Sequence, residues 1–434
     1  MSGDSGGYRG TGLDLLSRHG VSAGDAVSIV TEEGEMSGVL MPRYESASED
    51  YIVIKLKSGY NTGIKVAKVK SILKIAGAKN EAPAGAPAPA ENPALPRIAL
   101  ISTGGTIASK IDYRTGGVRA ALSASELYAS VPELASHASV DPEVLMSEYS
   151  DNLNPEHWSA IAEKAAEKVR EGRYAGVVIS HGTDTMHYTA AALSFALQNL
   201  PVPVVLVGAQ RSSDRPSSDA ALNMLGATVF AANAGVAGVF VAMHAGTSDD
   251  AVAVHIGTRV RKNHTSRRDA FESIDATPVA NVRDGKIEMQ ASGIELAPRG
   301  KRELKLRPKF DASVALLKYH PGFDPALIEN ANCKAIILEG TGLGHVSRNC
   351  FPSLKKAIGK GIVVCMASQC IWGRVRMTVY DTGRDLLDIG VVPLSDMISE
   401  AAVAKAMWAL ANAQDVKKAM QENVAGEISE AIPI

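Results

Sequence analysis

Ile98-Ala99-Leu100-Ile101-Ser102-Thr103-Gly104-Gly105-Thr106 and Gly176-Val177-Val178-Ile179-Ser180-His181-Gly182-Thr183-Asp184-Thr185 are the two stretches on which the reading of this chain turns. Each is a short apolar run followed at once by a turn carrying glycine and threonine. Continuous runs of this length suit strands buried on both faces of a parallel sheet. Both turns then fall at the carboxyl ends of strands, where open α/β sheets place their ligand crevice. Two threonines brought to one edge point to hydroxyl nucleophiles, and the pair is far more specific than either turn alone.

The surrounding sequence alternates in the same way. Residues 155–170 have helix-forming composition, and Gly172 ends the run. Further helices are expected over 185–199 and 217–232, and strands over 202–207 and 238–243. Residues 280–312 change character and are expected to form a hairpin plus an interdomain connection. A second α/β unit begins near Ala312, with strands over 314–317, 335–338 and 362–365. The expected fold is α/β, with parallel, doubly wound sheets in two domains, over 97–300 and 301–434.

Residues 78–96, AKNEAPAGAPAPAENPALP, lack the apolar side chains to build a core and are expected to be a linker. Before it, over 1–77, short β-prone runs at 27–30, 36–41, 51–54 and 64–69 are separated by turn signals such as Glu33-Gly34-Glu35. They predict a small SH3-like β-barrel docking domain, with a leading helix over 9–20. The whole chain has 434 residues, 46% hydrophobic and 21% charged, with a net charge of -2, so no global basic field points to nucleic acid. Cys333, Cys350, Cys365 and Cys370 form no CxxC pair and are expected to be reduced core thiols. The start shows no secretory signal and no run is long enough to span a membrane, so the expectation is a soluble, cytoplasmic protein.

A threonine hydroxyl is a weak nucleophile until a base or nearby dipoles activate it. The glycines after Thr103 permit a tight turn and close approach of backbone N–H groups, which can hold an anionic intermediate. The plain alternative is a Gly-Gly turn with Thr106 capping a helix. Thr183 and Asp184 have the same ambiguity: either a helix N-cap, or an acid and a hydroxyl at the crevice working with a lysine. The candidate lysine is Lys262, within Arg259-Val260-Arg261-Lys262-Asn263-His264-Thr265-Ser266. On charge alone that run equally fits a solvated basic loop or an RNA-contact patch. The histidines, His181, His187, His244, His255, His264 and His345 among them, make no HExxH pair and no metal site is expected.

Together these pieces resemble one family. Ile101-Ser102-Thr103-Gly104-Gly105-Thr106-Ile107-Ala108 resembles the first signature of bacterial-type L-asparaginases, and His181-Gly182-Thr183-Asp184-Thr185-Met186 the second. The resemblance covers roughly residues 97–420 and implies a two-domain α/β amidohydrolase that works through an acyl-enzyme. It implies that Thr103 is the first-signature nucleophile, assisted by Tyr113 from a flap, and that Thr183, Asp184 and Lys262 form the second set. Ser150 and Asp151 would bind the substrate's α-carboxylate and α-amine. The family often supplies an asparagine from the partner subunit; here Leu343, within Gly340-Thr341-Gly342-Leu343-Gly344-His345, lies near that position. His345 replaces the third glycine of a GxGxxG loop, which argues against dinucleotide binding.

A β-rich domain plus a Pro/Ala linker is more than a simple asparaginase needs. The full arrangement resembles the glutaminase subunits of archaeal glutamyl-tRNA(Gln) amidotransferases. That resemblance implies a homodimer through the asparaginase-like domains, a transamidase/kinase partner completing a heterotetramer, and tRNA(Gln) bound through the complex. No cofactor is expected in this chain; ATP and Mg would be used by the partner, in keeping with the lack of a P-loop G-x-x-x-x-G-K-[ST] here. The alternatives are a free-standing cytosolic asparaginase and a catalytically silent scaffold or RNA-docking protein.

Overall fold

The computed structural model describes residues 6–430 apart from 44–47, 57–60, 80–92, 105–108, 113–116, 121–130 and 212–217. Thr106, Tyr113 and most of the expected linker therefore lie outside the described residues. The N-terminal unit is an antiparallel sheet of Asp25–Thr31, Gly34–Leu40, Tyr51–Leu56, Asn61–Lys65 and Val69–Lys79. In space the fourth strand leads, then the third, second, first and fifth. Val27, Ile29, Leu40, Ile52, Ile54 and Ile72 alternate inward and meet Leu16 from the helix Gly10–Arg18.

After residue 96 the first α/β sheet is built outward from Arg97–Ser102. Ser139–Val144 pairs with it on one side, and Gly176–Ser180, Pro203–Val207 and Val236–His244 follow on the other, all parallel. The sheet then departs from the expected all-parallel arrangement. Val252–Ile256 returns antiparallel to Val236–His244, and Ala280–Arg283 and Lys286–Met289 extend that edge as an antiparallel hairpin. Residues 245–251 are too few for a crossover helix, so the strand that follows must run back. The sheet is mixed.

Helices form where capping and apolar spacing agree. Pro155–Arg170 opens on Asn154, whose Oδ1 accepts the His157 N–H at 3.1 Å while the His157 ring accepts the Asn154 N–H at 3.2 Å. Such a reciprocal cap is worth about 1 kcal/mol. Met186–Ala196 stops short of the expected end at 199 because Leu197–Gln198 instead pairs with Lys305–Leu306 in the interdomain connection.

The second α/β unit is a parallel sheet of Val314–Lys318, Ala335–Gly340, Val363–Ser368 and Val392–Pro393. Its helix Ser399–Asn412 packs on Met186–Ala196 of the first unit. Small side chains on both, Ala191 and Ala192 against Ala401, Ala402 and Ala404, allow that close approach, and Phe195, Trp158 and Trp408 fill the space around them. Cys350 and Cys365 are buried as expected of core thiols, but Cys333 is half-buried and Cys370 exposed, which corrects the uniform expectation.

Gly226, in the helix Ala220–Asn233, marks a close approach of helix and sheet: a Cβ there would lie 2.7 Å from that of Val252. Gly226→Ala should gain about 1 kcal/mol of helix propensity but lose roughly 1–3 kcal/mol to overpacking. The expected net result is a lower urea midpoint, and an unchanged or higher midpoint would contradict this account of the contact.

Candidate active site

Counted along the chain, the five parallel strands of the first sheet stand in the order second, first, third, fourth, fifth. Strand order therefore reverses between Arg97–Ser102 and Gly176–Ser180, and the crevice outside the carboxyl ends at such a switch point is where α/β sheets bind ligands. The two threonine turns leave from these two strands. In register Ser102 pairs with Ser180, so Thr103 and His181 begin their turns side by side.

Thr103 is buried, and the Ser180 carbonyl accepts both its N–H, at 3.1 Å, and its O–H, at 2.9 Å. The neighbouring strand thus fixes the hydroxyl directly. Gly104 has φ +120°, and a Cβ on it would lie 2.2 Å from the Glu148 carbonyl oxygen, so the turn admits only glycine.

Thr183, Asp184 and Lys262 meet in one cluster. The Lys262 ammonium donates to Thr183 Oγ1 at 2.9 Å and to Asp184 Oδ1 at 2.7 Å. The lysine side chain is 8% exposed and the Asp184 side chain 64%, so the pair bridges a buried hydroxyl to a solvent-facing carboxylate. Neither Thr183 nor Asp184 caps the next helix, whose N-cap position is Thr185. An ammonium beside a hydroxyl favours negative charge on that oxygen, which is the chemistry an attacking alkoxide or hydroxide requires.

Ser150 and Asp151 lie in a 3₁₀ turn, and the helix that follows is capped by Asn154, not by either of them. Thr185 donates its hydroxyl to the Ser150 carbonyl at 2.7 Å, and a Cβ on Gly182 would lie 2.9 Å from Ser150 Oγ. Gly182 thereby brings the Ser150 turn against the Thr183 turn. Of the residues expected at the site, Thr103, Thr183, Asp184, Lys262, Ser150 and Asp151 lie on this edge; Tyr113 lies outside the described residues.

A third loop belongs to the same edge and was not singled out from sequence. Gly208-Ala209-Gln210-Arg211 follows the strand Pro203–Val207, and a Cβ on Gly208 would lie 2.8 Å from both the His181 carbonyl oxygen and Thr183 Cγ2. Buried Asp219 accepts the backbone N–H groups of Gln210 and Arg211, each at 2.9 Å. Asn223 donates to the Gly208 carbonyl at 3.0 Å. The signal available in sequence resembled the one used for the other turns, an apolar run followed at once by a glycine-bearing turn, but this turn carries no threonine.

Burial makes the histidines here neutral bases. Desolvation lowers His181 to about 4, and desolvation together with the charges of Arg261 and Lys262 lowers His187 to about 3. Gly182 offers only a carbonyl, 2.6 Å from His181 Nδ1, so Nδ1 carries the proton and Nε2 accepts from the Thr189 hydroxyl at 2.9 Å. Thr189 in turn accepts the Trp158 indole N–H at 3.1 Å. The basic run is not a free cationic patch. Arg259 pairs with Asp396, Arg261 with Glu400, Lys262 with Asp184, Arg267 with Asp269 and Arg268 with Asp249. The RNA-contact reading of that run loses its electrostatic basis.

Two outcomes are expected. Gly208→Ala pushes Thr183 and the His181 carbonyl and should lower kcat/KM for amide hydrolysis by roughly tenfold or more, with a melting temperature lowered by the same kind of overpacking as at Gly226; unaltered kinetics well below the melting transition would contradict the contact. His181, His187 and His255, the last also lowered to about 4 by burial, bind fewer protons folded than unfolded below the ordinary value of 6.5. Their contribution to stability is complete above that value and is lost as pH falls toward about 4 for His181 and His255 and about 3 for His187. Each costs roughly 1.4 kcal/mol per pH unit within its window. The urea midpoint should therefore drop between pH 7 and 5, above the range where carboxylates titrate; a flat profile there would contradict neutral burial.

Known proteins share this fold and much of this sequence. The family model described as Asparaginase, N-terminal, matches residues 97–294, and the Glutaminase/Asparaginase C-terminal domain matches 313–422. The L-asparaginase of Thermococcus kodakarensis superposes with a TM-score of 0.68 at 33% identity, over 77% of this chain and 100% of that one. L-asparaginase I of Vibrio cholerae gives 0.67 at 30% identity with the same coverage. The GatD N-terminal domain model matches residues 21–75, outside both asparaginase models. The GatD subunit of the Methanopyrus kandleri glutamyl-tRNA(Gln) amidotransferase is 45% identical over 97% of this chain and 94% of that protein. Its Pyrococcus furiosus counterpart is 47% identical over 96% and 97%. Among the described residues no helix is long and apolar enough to cross a membrane. With relatives this similar over nearly its full length, the chain belongs to the GatD family of glutamyl-tRNA(Gln) amidotransferase subunits, asparaginase-type amidohydrolases preceded by an N-terminal domain of their own.

Proposed function

We propose that this chain hydrolyses glutamine through Thr103 and supplies the ammonia to a partner subunit, which uses ATP and Mg to amidate Glu-tRNA(Gln) to Gln-tRNA(Gln). The observation that carries the reading is the Lys262 ammonium held between Thr183 and Asp184, on the crevice edge that also presents Thr103, in a chain matching GatD proteins along its length. Ser150 and Asp151 hold the α-carboxylate and α-amine, which leaves the γ-amide directed at the threonines. Thr103 Oγ1 forms a bond to the amide carbon, its proton passes to the leaving nitrogen with Tyr113 or the Lys262 cluster assisting, and the C–N bond breaks to release ammonia. Water activated beside Thr183 and Lys262 then cleaves the resulting ester, giving glutamate and regenerating Thr103. Backbone N–H groups of the glycine turn supply the oxyanion contacts. The chain needs no cofactor for these steps. It works as a cytoplasmic homodimer docked on its partner in a heterotetramer, with tRNA(Gln) bound by the complex.

The test is ammonia release from glutamine and from asparagine, by the chain alone and then with partner, ATP and glutamylated tRNA. Glutamine hydrolysis that rises with the full set supports the reading; strong asparagine hydrolysis indifferent to partner and tRNA contradicts it. In the full set Thr103→Val and Thr183→Val should each lower the rate by roughly 10³-fold or more while the fold persists, and near-normal release by either variant would remove that threonine from the mechanism.

A further inference from the structure

The strand that carries Lys262 is fastened on its two faces to two different domains. Val260–Lys262 pairs antiparallel with Phe271–Ser273, and side chains alternate along it. Val260 and Lys262 face the first domain: Val260 is fully buried in the core with Ile179 and Met186, and Lys262 reaches Thr183 and Asp184. Arg259 and Arg261 face the second domain. Arg259 is fully buried, donates to Asp396 Oδ2 at 3.0 Å and to the Gly426 carbonyl at 2.8 Å. Arg261 Nε meets Glu400 Oε1 at 2.8 Å.

Both carboxylates are themselves held. Asp396 accepts the Ser429 N–H at 3.2 Å, and its side chain is fully buried. Burial alone would raise its pKa, but bonds from Ser429 and the charge of Arg259 outweigh that and keep the carboxyl below its ordinary value. Glu400 lies in the first turn of the helix Ser399–Asn412, where the helix dipole favours a negative charge. Two more bonds cross the seam beside the strand: Thr258 donates to the Ala425 carbonyl at 3.0 Å, and Asp275 accepts the Gly373 N–H at 3.0 Å.

We propose that Asp396 and Glu400 are positioning residues for Lys262, so that the second domain sets the reach of the lysine that serves the first domain's threonine. This rests on the role proposed above for Lys262. The ion pairs of Arg259 and Arg261, on the same short stretch of backbone as the lysine, fix the strand's height and rotation. Releasing either pair lets the ammonium drift from Thr183, and a shift of about 1 Å can cost 10²-fold in rate. Substrate held by Ser150 and Asp151 is not disturbed by that drift.

The test uses the assembled complex with glutamylated tRNA and follows ammonia release from glutamine. Glu400→Gln, whose partner Arg261 is partly exposed, should fold and assemble normally yet lose roughly 10–100-fold in kcat, with KM for glutamine changed by less than about twofold. Asp396→Asn should act in the same direction, and the milder Glu400→Gln decides the matter if Asp396→Asn fails to fold. In a Lys262→Ala background, Glu400→Gln should cause no further loss, because it acts through the lysine. Wild-type kcat in Glu400→Gln, or an equal loss in both backgrounds, overturns the inference while leaving the site intact. Near-normal activity of Lys262→Ala alone would instead remove the role proposed for the lysine, and the tether with it.

Discussion

The site depends on one parallel pairing, Arg97–Ser102 against Gly176–Ser180, and on its terminal carbonyl. Ser180 C=O takes both the N–H and the O–H of Thr103, so the last rung of the ladder also sets the first threonine's hydroxyl. A slip of two residues in that register would part Thr103 from Thr183, and a slip of one would turn the strand's buried side chains to the opposite face. Everything on the crevice edge is arranged around that rung. The Thr183 turn leaves the same strand two residues after His181, the Gly208 loop packs against it, and the Ser150 turn is drawn in by Gly182.

Much of this was legible in the sequence because short-range chemistry specified it. The runs ending at Ser102 and Ser180 are apolar up to their last residue, as strands covered on both faces must be. The helix Pro155–Arg170 matched its expected ends because Asn154 and Pro155 open it and Gly172 lies just beyond it. The orientation of Val252–Ile256 was not legible: a buried apolar run carries no mark of strand direction, and only the short return over 245–251 sets it. The ambiguity of the Thr183-Asp184 pair between helix cap and crevice was likewise resolved only in space, by where Lys262 ends.

Long-range charge pairing was the other hidden layer. The run Arg259–Arg268 reads from sequence as a basic patch, yet its carboxylate partners are dispersed along the chain, with Asp396 137 residues from Arg259. Charge compensation of that kind removes the field an anionic polymer would follow and converts the run into structure. Buried pairs such as Arg259–Asp396 add little net stability compared with well-packed apolar groups. Their consequence lies in geometry, since leaving either member unpaired is costly and the two domains are thereby held at a fixed separation around the lysine.

A covalent capture experiment bears most directly on this account. A glutamine analogue with an electrophilic diazoketone in place of the γ-amide would be incubated with the assembled complex, and the modified residue located by peptide mass spectrometry. A single adduct on Thr103 is expected, and it should fail to form in the Thr103→Val variant. An adduct carried by Thr183 instead, or one that persists without the Thr103 hydroxyl, would contradict that expectation.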